Sequence, residues 1–135
     1  MKAIADTGFL VALLGTKDEF RHWALDVAKH ITWPVLTCEA VLAETAFHLR
    51  SSERVVGMLR DNVVRIAFDL ESQRQQLYDL AKRYEDRHPD LADLCLIRMS
   101  ELYPHHTVVT VDEDDFRVYR RNKREAIPLL TPPKK

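Results

Sequence analysis

The feature that most constrains this chain is an alternation between very short apolar runs and longer stretches of helical period. Lys2–Ala5, Val35–Thr37, Val63–Phe68 and Thr107–Val111 are each brief and rich in apolar or β-branched residues. Such runs suit strands buried on both faces of a sheet. Between them, apolar residues recur every three or four positions. Phe20, Trp23, Ala24, Val27, Ala28 and Ile31 trace one helical face and predict a helix over Asp18–Ile31. The same reading predicts helices over Phe9–Leu14, Glu39–Arg50, Glu53–Leu59, Leu91–Leu102 and Glu113–Arg121. A long helix capped by Asp69 is predicted to end near Arg87, and Ile127–Leu130 reads as a final edge strand. Strands alternating with helices in this way predict an α/β fold whose parallel sheet is covered on both faces.

The 135 residues suit one domain, read as residues 1–130, with 131–135 as a C-terminal tail. Twenty Lys and Arg against twenty-one Asp and Glu leave no global basic field, so attraction to phosphate must be local or pass through bound cations. Cys38 and Cys95 lack the spacing of a zinc site and read as buried free thiols. The apolar start is interrupted at Asp6 and Thr7, and no segment reaches the roughly 20 apolar residues of a membrane span. A cytoplasmic protein is expected.

In open parallel sheets, ligands bind beyond the carboxyl ends of the strands. Asp6 follows the first run directly, and Asp112 follows Thr107–Val111. Either acid taken alone also reads as a helix N-cap. Glu44 has Ala40, Val41, Phe47 and His48 as its helical neighbours, which predicts that it faces or borders the core. There it needs a metal or a cationic partner such as Arg50 or Arg54. Asp93 has Leu96 and Ile97 one turn on and Asp90 one turn back, where Asp90 reads as a cap or a member of the site. Four carboxylates gathered at one sheet edge repel one another unless cations sit between them. An all-oxygen set suits Mg²⁺ or Mn²⁺ rather than zinc, and such ions promote phosphodiester hydrolysis.

These residues give the chain a close resemblance to the PIN domain, and within it to the VapC-type toxins of toxin–antitoxin pairs. Ala5-Asp6-Thr7-Gly8-Phe9-Leu10 resembles the first acidic motif and Leu42-Ala43-Glu44-Thr45 the second. Asp90-Leu91-Ala92-Asp93-Leu94-Cys95-Leu96 is similar to the third, and Thr110-Val111-Asp112-Glu113-Asp114-Asp115-Phe116 to the fourth. The resemblance implies a three-layer α/β/α sandwich with a mostly parallel sheet. It implies a Mg²⁺ site, with Mn²⁺ as a substitute, built from Asp6, Glu44, Asp93 and Asp112, and endonucleolytic cleavage of RNA. A homodimer and a small neutralising antitoxin protein are also implied. Asp114 or Asp115 could serve beside or instead of Asp112, and Asp90 beside Asp93.

Other features carry weaker readings. Arg117, Arg120 and Arg121, with Lys123 and Arg124, could grip RNA phosphates or form a solvated helix face balancing Glu113, Asp114 and Asp115. Thr7 could donate to Asp6 or to a water at the site, or cap the helix that follows. The six histidines show no metal-ligand spacing, and His48 stands out only because it lies one turn from Glu44. Three glycines exclude a Gly-rich phosphate loop, and Ser51 and Ser52 have no triad partners. Two competing readings remain open: a non-catalytic interaction module with an acidic surface, and an RNA-processing nuclease that is not a toxin.

Overall fold

A computed structural model describes residues 1–134. Five strands form one parallel sheet: β1 (Ala3–Ala5), β2 (Val35–Thr37), β3 (Val64–Ile66), β4 (Thr107–Val109) and β7 (Leu129–Leu130). Their spatial order is β3-β2-β1-β4-β7, which puts the first strand at the centre. Every residue of β1 and β2 is buried, as expected of strands with helices on both faces. In edge strand β3, by contrast, Arg65 and Ile66 are exposed.

Among the described residues, seven α-helices connect and flank the sheet: α1 (Thr7–Leu14), α2 (Arg21–Ala28), α3 (Glu39–Leu49), α4 (Ser52–Arg60), α5 (Arg74–Arg83), α6 (Leu91–Leu102) and α7 (Glu113–Val118). Helix α6 is apolar almost all round, burying Leu94, Cys95, Leu96, Ile97 and Met99, and it packs on β1 and β4. A helix of that composition belongs in the interior. Cys38 and Cys95 are buried free thiols lining a common cavity. No helix among the described residues is long and apolar enough to cross a membrane.

Several of the expected elements differ from those formed. The helix predicted over Asp18–Ile31 is confined to Arg21–Ala28, because Asp18 Oδ1 accepts from the Phe20 N–H in a local turn. The long helix from Asp69 is replaced by a 3₁₀ turn (Glu71–Gln73), α5, and a second 3₁₀ turn (Glu85–Arg87). Asp69 caps nothing there; its carbonyl accepts from Ser72 Oγ. The runs read as strands over Val63–Phe68 and Thr107–Val111 pair over three residues each.

The predicted polar helix stops at Val118, and Arg120–Arg121 (β5) pairs antiparallel with Glu125–Ala126 (β6). The connecting turn has positive φ at both Asn122 and Lys123, the conformation that matches the twist of a tight hairpin. Residues 131–134, read from the sequence as tail, follow β7, and Pro132, Pro133 and Lys134 line a cavity with Phe20 and Asp112. Lys135 of that predicted tail lies outside the described residues.

Candidate active site

Register places the acids. Ala5 pairs with Val109, so the next residues along, Asp6 and Thr110, sit side by side just past the ends of two adjacent strands. The Asp6 N–H continues the ladder to the Val109 carbonyl (3.0 Å). Thr110 Oγ1 donates to Asp6 Oδ2 (2.6 Å), while the Thr7 N–H donates to Asp6 Oδ1 (2.7 Å). Asp6 is therefore both the N-cap of α1 and a held, buried carboxylate. The two readings of this residue are compatible.

Glu44 reaches the same place from α3. Its Oε2 accepts from Thr7 Oγ1 (2.8 Å), and no Arg pairs with it among the described residues. Arg54, a partner considered from sequence, donates instead to the Leu14 carbonyl. Of the two placements expected for Glu44, facing the core or bordering it, the structure shows the second. Glu44 is half-buried, and its neighbour Phe47 is 79% exposed, so this side of α3 borders solvent. Thr7 thus joins the first two acids, giving its amide to one and its hydroxyl to the other.

Asp93 enters from the first turn of α6. Asp90 caps that helix by accepting from the Asp93 N–H (2.8 Å), and Tyr119 Oη donates to Asp93 Oδ2 (3.0 Å). Asp112 caps α7, accepting from the Asp115 N–H (3.3 Å), and its own N–H donates to Thr110 Oγ1 (2.9 Å). Thr110 consequently links Asp6 to Asp112. Asp115, on the first turn of α7, forms an ion pair with Arg87 (2.9 Å).

All four principal acids, with Thr7, Gly8 and Asp90, line one cavity of about 270 Å³. His48 also lines it, at the exposed end of α3. Gly8 is required by the crowding: a Cβ there would stand 2.2 Å from Val111 Cγ2, at the loop carrying Asp112. Asp93, Asp112 and Asp115 come closest together, each offering a carboxylate oxygen within 4.8 Å of the others. The alternatives Asp112 and Asp115 are therefore not exclusive. Asp114 is exposed.

The electrostatics match this crowding. Burial pushes the Asp6 carboxyl up to about 6 against the hydrogen bonds from Thr110 and Thr7, with Asp112 and Glu44 adding to the rise. Burial, then the charges of Asp90 and Asp6, pushes Asp93 up to about 8. Asp112 is also raised, first by burial and then by the neighbouring acids Asp115 and Asp114. Carboxylates held close together out of water resist ionising unless positive charge joins them. The three-acid oxygen cluster suits a hard divalent cation, so the residues present fit Mg²⁺ or Mn²⁺.

The basic residues near α7 are tied into the fold. Arg117 pairs with Glu113, and Arg120 donates to the Arg117 and Tyr119 carbonyls. Arg121 donates to the Ser100 (3.1 Å) and Pro104 (3.0 Å) carbonyls and pairs with Glu125. Its guanidinium is a structural tie between the hairpin and α6. The groups that sequence reasoning did not single out are Thr110, which links two acids, and Tyr119 and Arg87, which hold one each. Only Thr110 carried a signal, standing two residues before Asp112.

No curated protein is matched by this chain. Among solved structures, VapC20 of Mycobacterium tuberculosis, a toxin that cleaves the sarcin–ricin loop, is similar in fold with a TM-score of 0.71. The two are 21% identical, and the match covers 84% of this chain and 92% of that one. The PIN-domain family model matches residues 3–122, a span that runs from β1 through β5 and includes every acid of the cavity. With most of its length so matched, and with the parallel sheet and flanking helices of that fold, the chain belongs to the PIN-domain family.

Proposed function

We propose that this chain is a metal-dependent endoribonuclease, acting as the toxin of a VapBC-type toxin–antitoxin pair. One observation carries the reading: Asp6, Glu44, Asp93 and Asp112, from four separate parts of the chain, line one cavity beyond the carboxyl ends of the strands. Asp6, Asp93 and Asp112 would hold the cation, with Asp115 able to join them. When bound, Mg²⁺ or Mn²⁺ supplies charge neutralisation for the scissile phosphate and makes an attacking water more acidic.

The chain's own residues do the positioning. Thr110 fixes the Asp6 carboxylate between two donors, and Tyr119 fixes Asp93. Glu44, steadied by the Thr7 hydroxyl, is free through its second oxygen to orient a water or accept its proton. Asp90 sets the start of α6 and so the direction of Asp93. Phosphates flanking the cut would meet Arg117, which is exposed, whereas Arg120 and Arg121 are committed to carbonyls.

The toxin assignment takes its support from the likeness to VapC20 and from the exposed Phe47. Phe47 packs against His48, which lines the acid cavity, and would anchor an antitoxin segment. A homodimer belongs to the same reading and is tested by sedimentation. Cytoplasmic residence follows from an RNA target in the cell. The decisive test is cleavage of a mixed cellular RNA pool by purified protein with Mg²⁺, with Mn²⁺ and with chelator, beside an Asp6→Asn protein. Metal-dependent cutting lost in the variant is expected; equal cutting by both proteins would refute the site.

A further inference from the structure

A second cavity lies at the opposite edge of the sheet, where the strands begin. It measures about 240 Å³ and is lined by Lys2, Thr32, Trp33, Pro34, Arg65 and His106 over a floor of Ala3 and Leu36. The topology explains the gathering. Lys2 precedes β1, His106 precedes β4, and Arg65 lies in β3 with Leu36 of β2 as its register partner. These residues are distant in sequence and have no motif in common.

No carboxylate among the described residues lines this cavity. Among the described residues, neither Lys2 nor Arg65 enters an ion pair, although the chain as a whole carries one more acid than base. Two unpaired cations and an imidazole facing one hollow make a local field that favours an anion. His106 registers that field: burial first, then the charges of Lys2, Arg65 and His105, hold its ring below the usual histidine range. At the same cavity Trp33 is 40% exposed, a large aromatic face left in water. An aromatic platform beside unpaired cations is the arrangement that holds a nucleotide, the base by stacking and the phosphate by charge.

We propose that this cavity is a nucleotide-binding subsite in which Lys2, Arg65 and His106 hold a phosphate and the Trp33 indole stacks on the attached base. The cavity volume accommodates the phosphate and part of the sugar, leaving the base at the rim. The occupant is a nucleotide, either free or as one unit of single-stranded RNA. The subsite is separated from the acid cavity by the length of β1, about 13 Å from Lys2 to Asp6 at an extended rise per residue. It uses none of the acids, so it stands or falls independently of the ribonuclease reading.

The test is a titration of the intact protein in chelator, followed by the His106 ring and Trp33 indole resonances. The probes are adenosine 5′-monophosphate, inorganic phosphate, adenosine and a five-nucleotide single-stranded RNA. The nucleotide or the RNA should move both resonances, and the His106 pKa should rise as the anion binds. Lys2→Ala with Arg65→Ala should weaken binding roughly tenfold or more, since charge-assisted hydrogen bonds are lost. Both sites are exposed, so the melting temperature should stay unchanged. A response to the RNA alone identifies the occupant as part of a polymer, and a response to the mononucleotide alone identifies it as free. Inorganic phosphate shifting His106 as strongly as the nucleotide does, with the indole unmoved, would overturn the proposal, as would silence at both resonances.

Discussion

Replacing Asp6 with Asn removes one negative charge at nearly constant volume, and the structure sets what this should do to stability. Asp6 is 7% exposed and its carboxyl is pushed up to about 6 from 3.8. In the metal-free protein near pH 7.5, holding that group ionised therefore costs the fold about 3 kcal/mol relative to its neutral form. Asparagine cannot ionise and escapes the cost. It keeps one acceptor for the Thr7 N–H, but its amide group then faces Thr110 Oγ1, whose hydroxyl must turn away. Losing that hydrogen bond costs about 1 kcal/mol. The net expectation in chelator is a gain of about 2 kcal/mol, or roughly 6 °C in melting temperature for a chain of this size. The gain should shrink as the pH is lowered, vanish between about pH 4 and 5, and turn below that into the loss of about 1 kcal/mol from the missing hydrogen bond, because there the unfolded carboxyl protonates as well. Mg²⁺ should reverse the comparison, since a site filled at a hundred times its Kd stabilises the wild type by about 2.7 kcal/mol. Thermal melts of both proteins, with chelator and with Mg²⁺, supply the test. A variant melting below the wild type in chelator at pH 7.5 would refute the argument that the site stores charge repulsion.

Other expectations follow from the same geometry. With metal removed, the wild type should lose stability as pH rises from about 4 to about 8. The folded protein binds protons at Asp6 (about 6) and Asp93 (about 8) that the unfolded chain has already released, so ionisation favours unfolding; stability flat across that window in denaturant titrations would contradict this. Tyr119→Phe removes the hydroxyl that donates to Asp93 but keeps the ring packed on Tyr84 and Phe116. Cleavage should drop on the order of tenfold, while stability falls by only about 1 kcal/mol, as read by kinetics and melts together. Gly8→Ala drives a Cβ into the Val111 side chain, which must shift next to Asp112; metal affinity and melting temperature should both fall, and unchanged affinity by calorimetry would contradict a need for glycine there.

The fold was legible where one physical signal dominated. Strands buried on both faces must be apolar throughout, so Ala3–Ala5, Val35–Thr37 and the start of Thr107–Val111 announced themselves. Asp6, directly after β1, and Asp112, closing the apolar run that contains β4, were legible for a related reason, since a charge ending an apolar run marks the chain turning away from the core. The hairpin from Arg120 to Ala126 was not. Its strands are two residues long and polar, and its turn puts Lys123 at positive φ, where a lysine gives no sequence cue. Asp69 misled because a capping residue before a helical pattern says nothing of the 3₁₀ turn that precedes α5. The exposure of Phe47 was hidden as well, because an apolar residue at helical spacing looks the same whether its face meets the core or solvent.

The partners of the acids were illegible for a deeper reason. Thr110 reaches Asp6 across 104 residues and Tyr119 reaches Asp93 across 26, and contacts made by tertiary packing leave no periodic trace. Thr7 was noticed, but its hydroxyl goes to Glu44 rather than to Asp6. The acid-rich fourth motif left open whether Asp114 or Asp115 joins Asp112, and only the short α7, with Asp112 as its cap and Asp115 in its first turn, brings Asp112 and Asp115 together near Asp93.

The most direct test of the central claim, that these acids serve water-driven hydrolysis of RNA through a divalent cation, is the chemistry of the ends left on a labelled RNA. Attack by water leaves a phosphate on one fragment and a hydroxyl on the other, with no cyclic product at any time. Ends of that kind, formed with Mg²⁺ or Mn²⁺ and absent with chelator or with Asp93→Asn, are the predicted result. Fragments ending in a 2′,3′-cyclic phosphate, appearing equally in chelator, would mean that the RNA's own hydroxyl is the nucleophile and would contradict the account.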